Sequence, residues 1–260
     1  MPVNTVINKA KFAFTGILYH EDVAPAPGRV YLRFHGNLND HSPATERAFF
    51  VAGTVMDAIE SCGVPHTEVG RIEIEGAAVD AGRRSRDGDR IDVFPAADAL
   101  RAARFVLDVH LGRLAAYLRM LGFDTFYRNC FDDAEIAAVS ADDDRVLLTR
   151  DRGLLKRGNV TSGYWLRETD SRRQAVEVVR RYQLAGLVRP FVRCMACNSE
   201  LADAPRSQVL GRVPSRVAAL HETFRQCPRC RRVYWQGGHF RRMLQWIDQN
   251  IKESSSPSSF

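Results

Sequence analysis

Three carboxylates fall where short buried strands should end. Asp108 closes Phe105-Val106-Leu107, Asp151 closes Val146-Leu147-Leu148-Thr149-Arg150, and Asp133 lies between them in Asp132-Asp133-Ala134-Glu135-Ile136. Open parallel sheets carry their chemistry at the C-terminal ends of the strands, and carboxylate oxygens are hard ligands that suit Mg2+ or Mn2+. Like charges gathered there repel one another unless a cation joins them. Two such ions about 4 Å apart can activate a water and stabilise a leaving oxygen, which is what hydrolysis of a phosphodiester demands.

Nearby acids compete for the same work. Asp132 is an alternative to Asp133, and Glu135, two residues along a helix from Asp133, points about 200° away from it. Asp124, after Gly122-Phe123, is either an acid steadying the ligands from behind or a turn residue. Taken singly, each aspartate could equally be a helix cap or a solvated loop charge; the joint pattern carries the metal. Thr149 either donates a hydrogen bond into this site or simply packs in its strand. Cys130 reads as a free structural thiol.

The second constellation is sulfur. Cys194-Met195-Ala196-Cys197 and Cys227-Pro228-Arg229-Cys230 form two C-x-x-C knuckles, the tetrahedral four-thiolate set of a structural Zn2+ with no open position for water. Arginines flank both knuckles at 189, 193, 225, 229, 231 and 232, followed by Tyr234, Trp235, His239, Phe240, Arg241 and Arg242. Cations interleaved with aromatics fit backbone neutralisation and base stacking on single-stranded RNA. The competing expectation is that the rings pack the ribbon against its neighbour.

The elements that must position these groups follow from pattern. The chain has 260 residues, 45% of them apolar, and a formal charge of +6, enough for several cores and a balance that favours polyanionic partners. No apolar run is long enough to span a membrane and no secretion signal opens the chain, so a cytoplasmic protein without membrane contact is expected. From about Lys11 to Pro95 the pattern is strand-rich around one helix, capped by Thr54 with Asp57 and stopped by Gly63, with Cys62 on its buried face. From Arg104 strands alternate with helices, the rhythm of a parallel sheet. Ser171 with Gln174 predicts a capping box for the last of these helices. Gln208-Val209-Leu210 and Arg212-Val213-Pro214 read as strands.

The first region, with Val30-Tyr31-Leu32-Arg33-Phe34, the alternating Arg71-Ile72-Glu73-Ile74-Glu75 and the closing GDRIDVFP run, resembles a ubiquitin-like β-grasp module related to sulfur carriers. Its last strand runs on into another domain instead of ending in a free Gly-Gly, so a docking or RNA-positioning role is expected in place of conjugation. The segments FVLDVHLGRLAAYLRMLGFDTFYRN and DDAEIAAVSADDDRVLLTRDRGLLKR, with the distal cysteine pairs, resemble the PIN-like ribonuclease domain at the C-terminus of the Mut-seven type 3-prime exonucleases, which in bacteria often follows a ubiquitin-like domain.

The resemblance implies an α/β fold: a PIN-like parallel sheet with helices on both faces, preceded by a β-grasp domain and followed by a small zinc ribbon. The expected divisions are 1–97 for the β-grasp domain, 104–187 for the nuclease domain, 188–252 for the ribbon and 253–260 for a disordered tail. It matches Asp108, Asp133 and Asp151 to the family's acidic metal-binding positions. Arg113 and Arg150 become candidates to contact phosphate, since guanidinium suits phosphate oxygens, or else are surface charges or balance the acidic cluster. His110 stands where the family is usually apolar and reads as a partly buried structural histidine.

Together these readings predict a metal-dependent nuclease, most simply a ribonuclease acting on single-stranded RNA. The rivals are an RNA- or ribosome-associated docking factor, with the β-grasp domain contacting the ribosome or another protein, and a toxin-like nuclease.

Overall fold

The computed structural model describes residues 28–42, 47–51, 53–96 and 103–252. The start of the first strand-rich region, the stretch 97–102 between the first two expected domains and the expected disordered tail at 253–260 lie outside the described residues. Among the described residues no helix is long and apolar enough to cross a membrane.

The first unit comprises β1 (Gly28–Phe34), β2 (Arg47–Val51), α1 (Val55–Ser61), β3 (Val69–Ile74), β4 (Ala77–Ala78) and β5 (Arg90–Pro95). The sheet order is β2-β1-β5-β3-β4, with β1 and β5 parallel at its centre and antiparallel pairs outside. Helix α1 begins with the expected reciprocal cap, Thr54 Oγ1 accepting from Asp57 N–H and Asp57 Oδ2 from Thr54 N–H. Its Val55, Ala58 and Ile59 are buried against Val30, Leu32, Ile72, Ile91 and Val93. This is a β-grasp arrangement. Cys62 is buried in the same core, as a small hydrophobe would be.

The second unit alternates strictly: β6 (Arg104–Leu107), α2 (Gly112–Met120), β7 (Asp124–Tyr127), α3 (Asp133–Asp142), β8 (Val146–Thr149), α4 (Arg152–Leu155), β9 (Gly163–Trp165) and α5 (Ser171–Arg181). All four strands are parallel, in the order β7-β6-β8-β9. Because side chains alternate across a strand, Phe105, Leu107, Val146 and Leu148 join Leu114, Leu118, Ala175 and Val178 of α2 and α5 on one face. Val106 and Leu147 meet Ile136 and Ala137 of α3 on the other. Two buried faces explain why the central strands read as unbroken apolar runs. The α5 cap differs from expectation: Asp170 accepts from Arg172 and Arg173 N–H, Ser171 is the first helical residue, and Gln174 donates to Glu168 O instead.

The third unit holds β10 (Ala202–Pro205), α6 (Arg206–Val209), α7 (Ser215–Leu220), β11 (Thr223–Gln226), β12 (Val233–Trp235) and α8 (Gly238–Ile247), with the strands in an antiparallel sheet β10-β11-β12. The expected strands at 208–210 and 212–214 are instead the end of α6 and the approach to α7. Pro205 and Pro214 each precede a helix, where a missing N–H costs nothing, and Val209 and Val213 are buried with Ala218 and Phe224. Helix α8 returns to the parallel sheet, bringing Phe240 to 4.3 Å from Phe191 and burying Ile247 and Ile251 in that core.

A polar knot joins the β-grasp unit to the edge strand β9. Glu68 accepts Trp165 N–H on Oε1 at 2.7 Å and Arg167 Nη2 on Oε2 at 2.9 Å, while His41 Nε2 lies 3.0 Å from Oε2. Burial pushes the Glu68 carboxyl up, but the His41 bond, the Arg167 charge and the Trp165 amide outweigh it and hold the pKa below its ordinary 4.5. A lowered carboxylate pKa supplies stability that is fully present above the unfolded value and lost as pH falls through the folded one. Glu68→Gln should therefore destabilise the protein by about 3 kcal/mol at neutral pH, since it leaves a buried guanidinium short of its charge. Urea unfolding of variant and wild type should show the gap closing below about pH 4.5.

Candidate functional site

The parallel register fixes which residues meet. Leu107 of β6 pairs with Tyr127 of β7 and with Leu148 of β8, so the residues that follow emerge at one edge. Asp108 continues the ladder by one bond, its N–H donating to Leu148 O at 3.1 Å. Thr149, fully buried at the end of β8, donates its hydroxyl to Asp108 Oδ2 at 2.7 Å and accepts Asp151 N–H at 2.9 Å. One hydroxyl thus ties together two of the three expected carboxylates. The third, Asp133, opens α3, which follows β7 on the other side of β6.

Each carboxylate keeps an open oxygen. Asp151 Oδ1 accepts Gly153 N–H at 2.7 Å, Asp108 Oδ1 receives only a 3.5 Å contact from His110 N–H, and Asp133 has no side-chain partner among the described residues. None of the three enters an ion pair among the described residues. Nor are they drawn into a tight cage: among the described residues the cysteine quartet is the only group of three or more ligands within 4.8 Å of one another. Asp133 and Asp151 are exposed and Asp108 half-buried. The donor set still fits a hard divalent cation, with free lone pairs on side chains able to close around it.

The competing acids are spoken for. Asp132 Oδ1 accepts Ala134 and Glu135 N–H, both at 2.8 Å, and Glu135 Oε2 accepts Asp132 N–H at 2.9 Å. This reciprocal cap holds the first turn of α3 and leaves Asp133 as the free carboxylate. Asp124 is at the opposite edge, paired in register with Arg104 at the start of β6. It accepts Arg145 Nη1 at 2.9 Å and Asn198 Nδ2 at 2.7 Å. Burial pushes its carboxyl up, and these bonds more than reverse that. Asp124 is a structural ion pair and lies too far along the sheet to steady the other acids.

The surrounding loops are pinned. Tyr127 Oη donates to Val109 O at 2.8 Å, and a Cβ on Gly112 would sit 2.8 Å from Tyr127 Oη, so a larger residue there would push that ring aside. Trp165 Nε1 donates to Arg150 O at 3.1 Å. The guanidinium groups of Arg113 and Arg150 are exposed, and neither balances the acids. His110 is exposed too, contrary to the partly buried position expected of it.

The two cysteine knuckles repeat one hydrogen-bond pattern. Asn198 N–H donates to Cys194 O and Ser199 O accepts Cys194 N–H; Arg231 N–H donates to Cys227 O and Arg232 O accepts Cys227 N–H. The residue after each second cysteine is left-handed, Asn198 at φ 70° and Arg231 at φ 62°. Cys194 Sγ lies 3.5 Å from Cys230 Sγ and Cys197 Sγ 3.3 Å from Cys227 Sγ. Burial raises both Cys197 and Cys230, but bonding around Ser199 brings Cys197 to about 6 while neighbouring thiols push Cys230 to about 12. Four thiols this close cannot all ionise unaided, and a Zn2+ would let them.

A family model described as the Mut7-C RNAse domain matches residues 103–247, and one described as Mut7-C ubiquitin matches residues 28–101. The chain belongs to the Mut7-C RNAse domain family. Its N-terminal unit is similar to small archaeal modifier protein 1 of Haloferax volcanii, at 16% identity over 26% of this chain and 97% of that one, with a TM-score of 0.23. It is also similar to a Pyrococcus furiosus protein assigned as molybdopterin converting factor subunit 1, at 21% identity over 26% and 97% of the two chains, again with a TM-score of 0.23. No curated protein matches the chain.

Sequence reasoning missed what joins the two parts of this Mut7-C chain. Arg119 of α2 is buried and donates to Thr125 O at 3.0 Å, Met195 O at 3.2 Å and Ala196 O at 2.8 Å, filling the carbonyls inside the first knuckle. Asn198 accepts Thr125 N–H at 3.0 Å. Arg193 and Arg225, expected to meet RNA, donate instead to Gly122 O and Asn198 O, and to Phe191 O and Leu201 O. Nothing local marks these partners, which lie up to 77 residues away. Purified protein should carry one zinc per chain by elemental analysis. Cys227→Ser should lose it and melt earlier, because metal binding supplies much of the folding free energy of such a region.

Proposed function

We propose that this member of the Mut7-C RNAse domain family is a metal-dependent ribonuclease whose centre is the edge formed by Asp108, Asp133 and Asp151. The observation that carries the reading is the Thr149 bridge: a buried hydroxyl orients Asp108 and fixes the backbone of Asp151, leaving three unpaired carboxylates at the C-terminal ends of parallel strands. These three residues would hold Mg2+ or Mn2+. When bound, the ion supplies an acidified water and neutralises charge on the phosphoryl group.

The remaining work falls to the chain itself. Thr149 holds Oδ2 of Asp108 so that Oδ1 faces outward, and the cap on Gly153 does the same for Asp151. Arg113 and Arg150, exposed on either side, would hold the phosphates flanking the scissile bond, because guanidinium donors match their oxygens. The quartet would hold Zn2+ as a structural ion, keeping α8 and the first knuckle against α2.

End-labelled single-stranded RNA incubated with the protein and Mn2+, Mg2+ or no added metal tests the reading. Cleavage should require the metal and vanish in Asp108→Asn and Asp151→Asn, and the product ladder would distinguish removal from an end from internal cutting. Thr149→Val should lower kcat about 10- to 100-fold while the protein stays folded, the usual effect of removing a bond that orients a metal ligand. Cutting without metal, or unaffected by the aspartate changes, would exclude this centre; RNA binding without any cutting would leave a docking factor.

A further inference from the structure

Several arginines among the described residues are occupied. Arg83, Arg145, Arg167, Arg193 and Arg225 all sit in ion pairs, and Arg119 is spent on backbone carbonyls. Three exposed ones are gathered in one place. Arg113 of α2, Arg172 of α5 and Arg242 of α8 line one groove of about 550 Å3, and no carboxylate lines it with them. None of the three forms an ion pair among the described residues.

The groove lies between residues of α2 and α8. Helical spacing puts Arg113 and Tyr117 on one face of α2, and His239, Arg242 and Trp246 on one face of α8, and all five line it. The Tyr117 and Trp246 rings are 5.6 Å apart and tilted by 47°. Arg172 Nε donates to Tyr117 Oη at 3.0 Å, which holds that ring in place. Arg113 stands five residues after Asp108 and at the start of α2, so one end of the groove adjoins the carboxylate edge.

We infer that this groove is the path of single-stranded RNA leading to or from the cutting edge, with Arg113, Arg172 and Arg242 on phosphates and Tyr117 and Trp246 as a platform for unpaired bases. The choice of RNA rests on the ribonuclease reading. Cations without acids match a polyanion, and aromatic faces accept bases only when these are unstacked from a partner strand. Of the residues expected to meet RNA around the knuckles, the groove keeps His239 and Arg242 and leaves out Arg193 and Arg225, which are consumed internally, and Phe240, which is packed on Phe191.

The test uses the full chain carrying Asp108→Asn, without added Mg2+ or Mn2+, and fluorescein-labelled oligouridine of about ten nucleotides followed by anisotropy across salt concentrations. Each of Arg113→Gln, Arg172→Gln and Arg242→Gln should reduce the slope of log affinity against log salt by about 0.7, while Arg216→Gln, on exposed α7, should leave it unchanged. Trp246→Leu, which retains an apolar side chain, should weaken binding at least about fivefold by losing a stacked base. Unchanged slopes in all three arginine variants, no binding at all, or equal competition by the annealed duplex or by polyglutamate would overturn the groove. Slope losses in a protein whose wild type cuts nothing would leave the groove standing and remove the catalytic reading, so the two fail separately.

Discussion

One buried guanidinium holds the sheet, a helix and a cysteine knuckle in register. Arg119 reaches from α2 to the carbonyls of Thr125, Met195 and Ala196. Burial works against its charge, and the nearby thiolates of Cys197 and Cys194 support it. A zinc held by four thiolates would carry a net charge of about −2, so a loaded quartet would itself be the counter-charge that makes a buried arginine tolerable. Beside it, Gly122 turns at φ 100° with Arg189 O so near that a Cβ would lie 2.3 Å away. The ribbon is therefore grown into the parallel-sheet unit, consistent with one family match running from 103 to 247.

The same sheet is held at its far side by charge as well. Glu68 of the β-grasp unit binds the edge strand through Trp165 and Arg167, and Trp165 in turn binds the carbonyl of Arg150. Arg152 donates to His41 O at 3.3 Å, and Lys156 donates to Glu60 O. These contacts converge on the segment that carries Asp151. The β-grasp unit thereby covers the open side of β9, an edge that would otherwise offer unpaired backbone groups, and stiffens the loop where the chemistry is proposed.

What could be read from sequence follows from how local each cause is. Strand ends at Asp108 and Asp151 were legible because two buried faces force short apolar runs, and the Thr54 cap and the knuckles were legible because their partners lie within a few residues. The strands expected around Val209 and Val213 failed because apolar spacing over so few residues does not distinguish a strand from a helical turn, and two prolines favoured helix starts. Asp124 could not be assigned for another reason. Its type and position resemble an active-site acid, and only its partners Arg145 and Asn198, 21 and 74 residues away, show that it is structural. Arg193 and Arg225 were misread in the same way, their backbone partners being far off in sequence or unmarked by type.

The direction of the parallel strands divides the charge of this unit. At the N-terminal edge Asp124 is neutralised by Arg145 and bonded to Asn198, as a half-buried carboxylate must be. At the C-terminal edge Asp108, Asp133 and Asp151 have no ion-pair partner among the described residues, although the chain holds 37 lysines and arginines. Stability does not ask for such a cluster, since like charges side by side only repel. Arg113 stands one turn into the helix after Asp108, and Arg150 directly precedes Asp151, yet both remain unpaired with the acids. Opposite charges kept apart at so short a range are what two further partners would complete, a divalent cation for the carboxylates and a phosphate chain for the arginines.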